Sequence, residues 1–338
     1  MIYLTSIYTI LIIFLNFLKK QYIKKNVKCH ICNKIMDLVD NPQYIDNKCY
    51  RCRSSIIKHD IKISIRKDSF LEDMRLNLIS IYFLTFNCFL NKLSANKAFT
   101  EHASFAKAMH LNNISYQSIS KLYNIIREKI KRQMHQEWKN NKLSSDPSEG
   151  IIRCEIDESK IIANNNKIYW MFGMIERSSK ECRVFTVLDK RTKEVLLPLV
   201  CENIATNNDI KEMYNESRAY LHDYCLSTRI HSDCWRAYNV TDFKNEGYYL
   251  HKVNHLICFG RGNYNTNSIE GLWSYIKRIY NHFAGINFNC LKKFEDDDNE
   301  LKSYLDGWIC TSLFFRNCEL KKFGRVNQIM SLCKYLKI

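Results

Sequence analysis

The chain is poor in residues that break regular structure: only 9 glycines and 3 prolines occur in 338 residues. That scarcity suits long helices and ordered strands. With 46% apolar and 13% aromatic residues, the composition excludes a disordered chain. Acid is also in short supply. Against 51 lysines and arginines stand 35 aspartates and glutamates, a net charge of +16. Such an excess predicts attraction to a polyanion, and nucleic acid is the commonest one. The fifteen cysteines show no secretory spacing, which points to a reducing, intracellular compartment with thiols buried or metal-bound. The first eighteen residues carry no charge, yet they lack a basic region ahead of the apolar run and a small-residue cleavage site after it. Thr5, Ser6, Thr9 and Asn16 interrupt them. Segment 1–26 is therefore read as a buried helix or an extra apolar and basic segment rather than a membrane span.

Two pairs of cysteines come next. KCHIC supplies Cys29 and Cys32, KCYRC supplies Cys49 and Cys52, and sixteen residues separate the pairs. Four thiolates at this spacing suit one closed, tetrahedral, structural zinc ion in a zinc ribbon over 27–58. Lys19, Lys20, Lys24, Lys25, Lys28 and Lys34 all precede the first acidic residue of the chain. A ribbon so charged suits DNA docking, although many ribbons bind protein.

Residues 70–138 read as helices. LISIYFLTFNCFLNKL (78–93) is apolar nearly all round and expected to be buried. Phe99, Phe105 and Met109 are expected to pack against Ile119, Leu122, Tyr123, Ile126 and Ile130, with Ser115 as an N-cap between them. Arg127, Lys129, Lys131 and Arg132 decorate the far end. A helix-turn-helix is one reading; a plain helical hairpin with a solvated basic face is the default. KNNKLSSDPSEG (139–150) reads as a linker.

The pattern then changes. IIRCEIDESKI alternates, with Ile152, Cys154 and Ile156 on one face and Arg153, Glu155 and Asp157 on the other. KIYWMFGMIER and CRVFTVLDK complete a three-stranded meander. KEVLLPLVCENI reads as a helix, STRIHSDCWRAY as a strand presenting Asp233, and YYLHKVNH as a further strand. In NYNTNSIEGLWSYIKRIY, Ile269, Leu272, Trp273, Ile276, Ile279 and Tyr280 form the buried face of a helix capped among Asn265, Thr266 and Asn267. Glu270 falls in its first turn, where the helix dipole favours an acid, and Ser274 and Lys277 follow on its side. Carboxylates on a first strand, a later strand and a late helix make the layout of a ribonuclease H-like fold, a mixed sheet with flanking helices. Clustered acids of this kind make sense around two divalent cations about 3.5–4 Å apart. Magnesium is expected, with manganese as the alternative.

EIDES, HSDCWRAY, VNH and NTNSIEGLWSYIKR resemble the catalytic-domain motifs of Merlin-type DDE transposases and their bacterial insertion-sequence relatives. The 36 residues between Asp233 and Glu270 suit that group, as does a zinc ribbon ahead of the catalytic domain. SYLDGWICTSLFFRN (303–317) is similar, more loosely, to its closing helix. The resemblance implies a catalytic domain over 151–317, followed by a tail over 318–338. It also implies a metal-binding triad of Asp157, Asp233 and Glu270, with Asn267 the second choice for the third position. Lys277 matches a basic residue seven positions after the acid, suited to a DNA phosphate. Arg236 and Asn267 are further DNA-contact candidates, and Trp235 is divided between base stacking and core. Glu155 is expected as a solvated edge charge, His255 as structural, and the acids of 294–300 as a solvated face.

The implied activity is DNA transposition: magnesium-dependent strand cleavage at terminal inverted repeats, then strand transfer into target DNA. The implied partners are double-stranded DNA and a second copy of the chain, and the compartment is the nucleus in a eukaryotic host. The alternative is a domesticated or inactive relative that binds DNA without cutting it.

Overall fold

A computed structural model describes residues 26–69, 71–144, 151–164, 167–188, 191–214, 227–253, 265–281 and 297–336. The N-terminal apolar run, His255 and residues 145–150 of the linker lie outside them. The chain divides into two compact units, residues 1–129 with 323–338 and residues 130–322. Among the described residues no helix is long and apolar enough to cross a membrane.

The first unit opens with three antiparallel strands, β1 (Asp37–Asp40), β2 (Lys48–Ser54) and β3 (His59–Ser64), in that order across the sheet. Met36, Tyr50 and Ile65 are buried beside Cys29 and Cys52. So small a core needs a staple, and a metal is the usual one. Helix α1 (Leu78–Tyr82) starts where the Asn77 side chain accepts the Ser80 N–H at 2.7 Å, and it continues as π-helical turns over Phe83–Phe89. Ile81, Leu84, Phe86 and Phe89 are buried, as the all-round apolar pattern predicts. Helix α2 (Ala95–Ala108) follows, then α3 (Tyr116–Asn140), where Ser115 Oγ accepts the Ser118 N–H at 3.2 Å.

Ile119, Leu122, Tyr123 and Ile126 are buried as expected, but Phe99 and Met109 are exposed. Of the three expected partners, Phe105 packs inward, its ring stacked on Phe83 at 4.0 Å. Two of the expected surface bases are also buried. Arg127 is covered, and Lys131, in the second unit, donates through Nζ to Ser303 Oγ at 2.6 Å. Long aliphatic stems make lysine and arginine easy to bury when the head finds an acceptor, and a charge count does not reveal that acceptor. Helix α3 runs into the segment that the sequence suggests is a linker.

The second unit is built on a five-stranded mixed sheet of β4 (Ile151–Asn164), β5 (Lys167–Glu176), β6 (Cys182–Leu188), β7 (Ser227–Ser232) and β8 (Tyr249–Lys252). Its order is β6-β5-β4-β7-β8. The first three strands form the antiparallel meander, while β7 and β8 join parallel. The parallel joins require crossovers, and helices α4 (Lys193–Asn203), α5 (Asn207–Tyr214) and α6 (Val240–Asn245) lie in them. One sheet face carries Ile152, Cys154, Ile156, Phe172, Met174 and Ile230, in one apolar core with Leu196, Val200, Ile210 and Phe243 of those helices. The opposite face carries Glu155, Asp157 and Gly173. Helix α7 (Asn267–Ile279) packs there, and α8 (Asp298–Leu320) packs on β6. Asp306 of α8 accepts the Thr186 N–H of edge strand β6 at 2.8 Å, satisfying a backbone donor there. The last helix, α9 (Arg325–Leu336), belongs to the first unit, where Arg325 donates to Asn91 at 3.0 Å.

Candidate functional site

Asp157 and Asp233 are neighbours because β4 and β7 run parallel and in register. Glu155 and His231 are the last pair of the β4–β7 register; Asp157 lies two residues further along β4 and Asp233 just past the end of β7, near enough for its charge to act on Asp157. Both are half-buried. Helix α7 supplies the third acid. Its apolar stripe of Ile269, Leu272, Trp273, Ile276 and Ile279 is buried, leaving Glu270 exposed one turn before Trp273. The Trp273 indole donates to Asp157 Oδ2 at 2.8 Å, tying the helix to the strand beside the acids. Thr266 donates to Glu270 Oε1 at 3.2 Å.

Electrostatics records the convergence. The Asp157 carboxyl is pushed up to about 6, first by burial, opposed by the Trp273 hydrogen bond, and then by the charges of Asp233 and Glu270. Neighbouring Glu158 is pushed up to about 7, again first by burial. Its side chain turns to the other sheet face, where Tyr238 donates to it and Arg191 lies 3.7 Å away. Arg191 is stacked between Trp170, 3.7 Å from the ring centroid, and Trp235, at 4.3 Å. The Trp235 ring thus holds an arginine. Tyr238 is core.

Glu155 differs from its expectation. It is fully buried, not a solvated edge charge. Its Oε1 accepts Arg177 Nε at 2.7 Å and its Oε2 accepts the Ile269 N–H at 3.0 Å. Alternation places 155 on the face of 157, but only packing of α7 reveals that this stretch of the face is covered. Lys277, Arg236 and Asn267 are all exposed, and Arg236 lies beside Trp235 at 5.7 Å. Within the acidic run, Asp297 Oδ1 accepts the N–H groups of Asn299 and Glu300 at 2.9 and 3.0 Å. It caps α8.

The cysteine site also differs in one ligand. Cys29, Cys32, Cys52 and His59 bring their ligand atoms within 4.8 Å of one another, and among the described residues no other three or more His, Cys, Asp or Glu side chains do so. Cys29 and Cys32 flank a tight turn in which Asn33, at φ 57°, donates its N–H to the Cys29 carbonyl. The second pair cannot act together. Cys49 and Cys52 both lie on β2, and residues three apart on a strand face opposite ways. Cys49 turns away and accepts from Asn41 Nδ2 at 3.7 Å. His59 pairs with Ser54 across the hairpin, which puts it on the side of Cys52. The missed signal is that parity, together with a histidine seven residues after Cys52. Cys32 and Cys52 sulfurs are 3.5 Å apart, and His59 Nε2 lies 3.4 Å from Cys52 and 3.6 Å from Cys29. A tetrahedral ion with Zn–S bonds near 2.3 Å separates its sulfurs by about 3.8 Å. Three thiols and an imidazole at these distances fit zinc, with no position left open for chemistry.

No protein-family model matches the chain, and no curated protein matches it in sequence.

Proposed function

We propose that the second unit has a ribonuclease H-like fold and that the protein is a DDE transposase, which binds terminal inverted repeats, cuts DNA at an element end and joins the freed 3′-hydroxyl to target DNA. The first unit is read as a zinc-ribbon and helical DNA-recognition region. The observation that carries the reading is that Asp157 on β4 lies near enough to Asp233, just past β7, and to Glu270 of α7 for both charges to raise its pKa. It is supported by the strand order β6-β5-β4-β7-β8 and by the resemblance of the sequence motifs to Merlin-type transposases.

The donor set fits hard divalent cations: three carboxylates, one of them raised in pKa by burial and by the other two. Bound there by Asp157, Asp233 and Glu270, two magnesium ions would supply Lewis-acid stabilisation of the attacking and leaving oxygens of an in-line displacement. The protein's own part is placement. Trp273 orients Asp157, and α7 presents Glu270 and Lys277 to solvent, where a DNA backbone can reach them. Lys277 and Arg236 are suited to hold phosphates.

The test uses labelled duplexes made from the DNA flanking the coding sequence, with and without magnesium. Magnesium-dependent cutting and joining by the wild type, lost in Asp233→Ala and Glu270→Gln while duplex binding persists, is the expected result. Duplex binding without cutting, equal in all three proteins, would overturn the enzyme and leave a DNA-binding relative.

A further inference from the structure

Thr266 occupies the N-cap position of helix α7, yet its side chain accepts no helix N–H. Asn265 Oδ1 accepts the Asn267 N–H at 3.3 Å, and a further first-turn donor is satisfied by the central strand. Glu155 Oε2 accepts the Ile269 N–H at 3.0 Å, and Glu155 Oε1 accepts Arg177 Nε at 2.7 Å. Arg177 in turn donates through Nη2 to the carbonyl of Asn265, and its own N–H bonds the Arg153 carbonyl at 2.8 Å. One ion pair, with Glu155 buried and Arg177 half-buried, therefore grips the chain on both sides of the helix start. Ile269, the residue held, is the one immediately before Glu270.

We propose that Glu155 and Arg177 are positioning residues that fix the Glu270 carboxylate against Asp157 and Asp233; this rests on reading those three acids as metal ligands. The argument is geometric. Apolar packing holds α7 on the sheet, and Trp273 ties it to Asp157 one turn later, but neither is directional at the first turn, where Glu270 sits. The Glu155–Ile269 bond is the second tie, four residues upstream, and Glu270 lies between the two. A carboxylate at zero exposure is costly unless paired, and here both oxygens are used. An ionised cap also complements the positive end of the helix dipole.

The experiment uses full-length protein and Mn²⁺ as the probe, titrated to millimolar concentration and followed by electron paramagnetic resonance. Backbone hydrogen exchange over 265–272 and the melting temperature are measured alongside. Asp157→Asn identifies the site by losing the ion. Glu155→Gln is expected to weaken Mn²⁺ binding at least tenfold and to raise exchange in the first turn of α7. Because Glu155→Gln removes the charge facing the half-buried Arg177 guanidinium, Arg177→Lys is the second variant. It keeps the charge opposite Glu155 but loses the fork that reaches Asn265, and is expected to weaken Mn²⁺ binding severalfold with little loss of melting temperature. Wild-type binding that is unchanged in the variants that fold overturns the positioning role alone. A wild type that binds no Mn²⁺, or binds it unaffected by Asp157→Asn, overturns the carboxylate reading and this role with it.

Discussion

Trp273 lies so close over Gly173 that a Cβ added there would come within 2.4 Å of the indole Cη2. Gly173 is the residue opposite Asp157 across β4 and β5, and Trp273 donates to Asp157 Oδ2. Glycine at 173 is thus what lets a large indole come this close to the sheet and still reach the acid. Gly173→Ala must push the ring away. The expected cost is about 1–3 kcal/mol of stability, typical of overpacking, with a larger fractional loss of magnesium-dependent cleavage because Asp157 and Glu270 shift together. Thermal melts beside cleavage rates check it; wild-type rates at lowered stability would disconnect the indole from the acids.

The acids themselves burden the metal-free fold. Asp157 has its carboxyl raised to about 6 by burial and by Asp233 and Glu270, so its charged form is disfavoured in the folded state. Above pH 6 that penalty is present in full; it is relieved as pH falls from about 6 towards the unfolded value of 3.8. Asp157→Asn removes the charge and keeps an oxygen for Trp273. In EDTA at pH 8 the variant should melt higher than the wild type. The gain has an upper bound of about 3 kcal/mol, since each tenfold change in the protonation equilibrium is worth ~1.4 kcal/mol. The wild type should gain stability from added Mg²⁺, and the variant should not. Equal melting in EDTA would mean that neither burial nor the neighbouring acids penalise the Asp157 charge.

For the cysteine site the discriminating pair is His59 and Cys49. Purified protein should hold one equivalent of zinc per chain, measured by elemental analysis. Cys52→Ser and His59→Ala should lower the content and loosen the first unit, since binding energy at such a site is also folding energy. Cys49→Ser should retain zinc. Loss of zinc in Cys49→Ser with retention in His59→Ala would restore the four-cysteine set.

These residues also mark how far the sequence is legible. The meander and the late helix are present at the stretches their periodicities indicate, because each has one apolar face and one polar one; the strand expected to present Asp233 stops at Ser232, one residue short of the acid. The six apolar residues expected on the helix face of α7 are all buried. What alternation and spacing cannot give is what covers the second face of a strand. Glu155 and Asp157 look alike in sequence, yet α7 buries one completely and leaves the other half open. The same limit explains Phe99, Met109, Arg127 and Lys131, whose placement depends on which helix lies opposite. At the cysteines the spacing misleads because CxxC suggests a metal-binding turn at both pairs, whereas KCYRC lies on a strand.

His231 is a separate, acid-sensitive element. It is buried beside Arg177, His251, Arg153 and Arg229, and burial first, then those positive groups, lowers its pKa to about 3. A histidine held neutral in the fold and free to ionise when unfolded makes the unfolded state bind more protons. Its contribution is therefore present above the unfolded value of 6.5 and is lost as pH falls below that towards 3. At pH 5 the deficit is about 2 kcal/mol, at ~1.4 kcal/mol for each pH unit below the unfolded value. Asp157 and Glu158 have the opposite sign, since both carboxyls are raised and gain from acid, so the wild-type slope alone is a mixture. His231→Phe isolates the histidine's share: it keeps a ring stacked near His251, which lies 5.3 Å away, and it cannot ionise. Urea unfolding at pH 7 and pH 5 should show the variant losing about 2 kcal/mol less than the wild type on acidification. Parallel losses in the two proteins would show that His231 is not held neutral by its site.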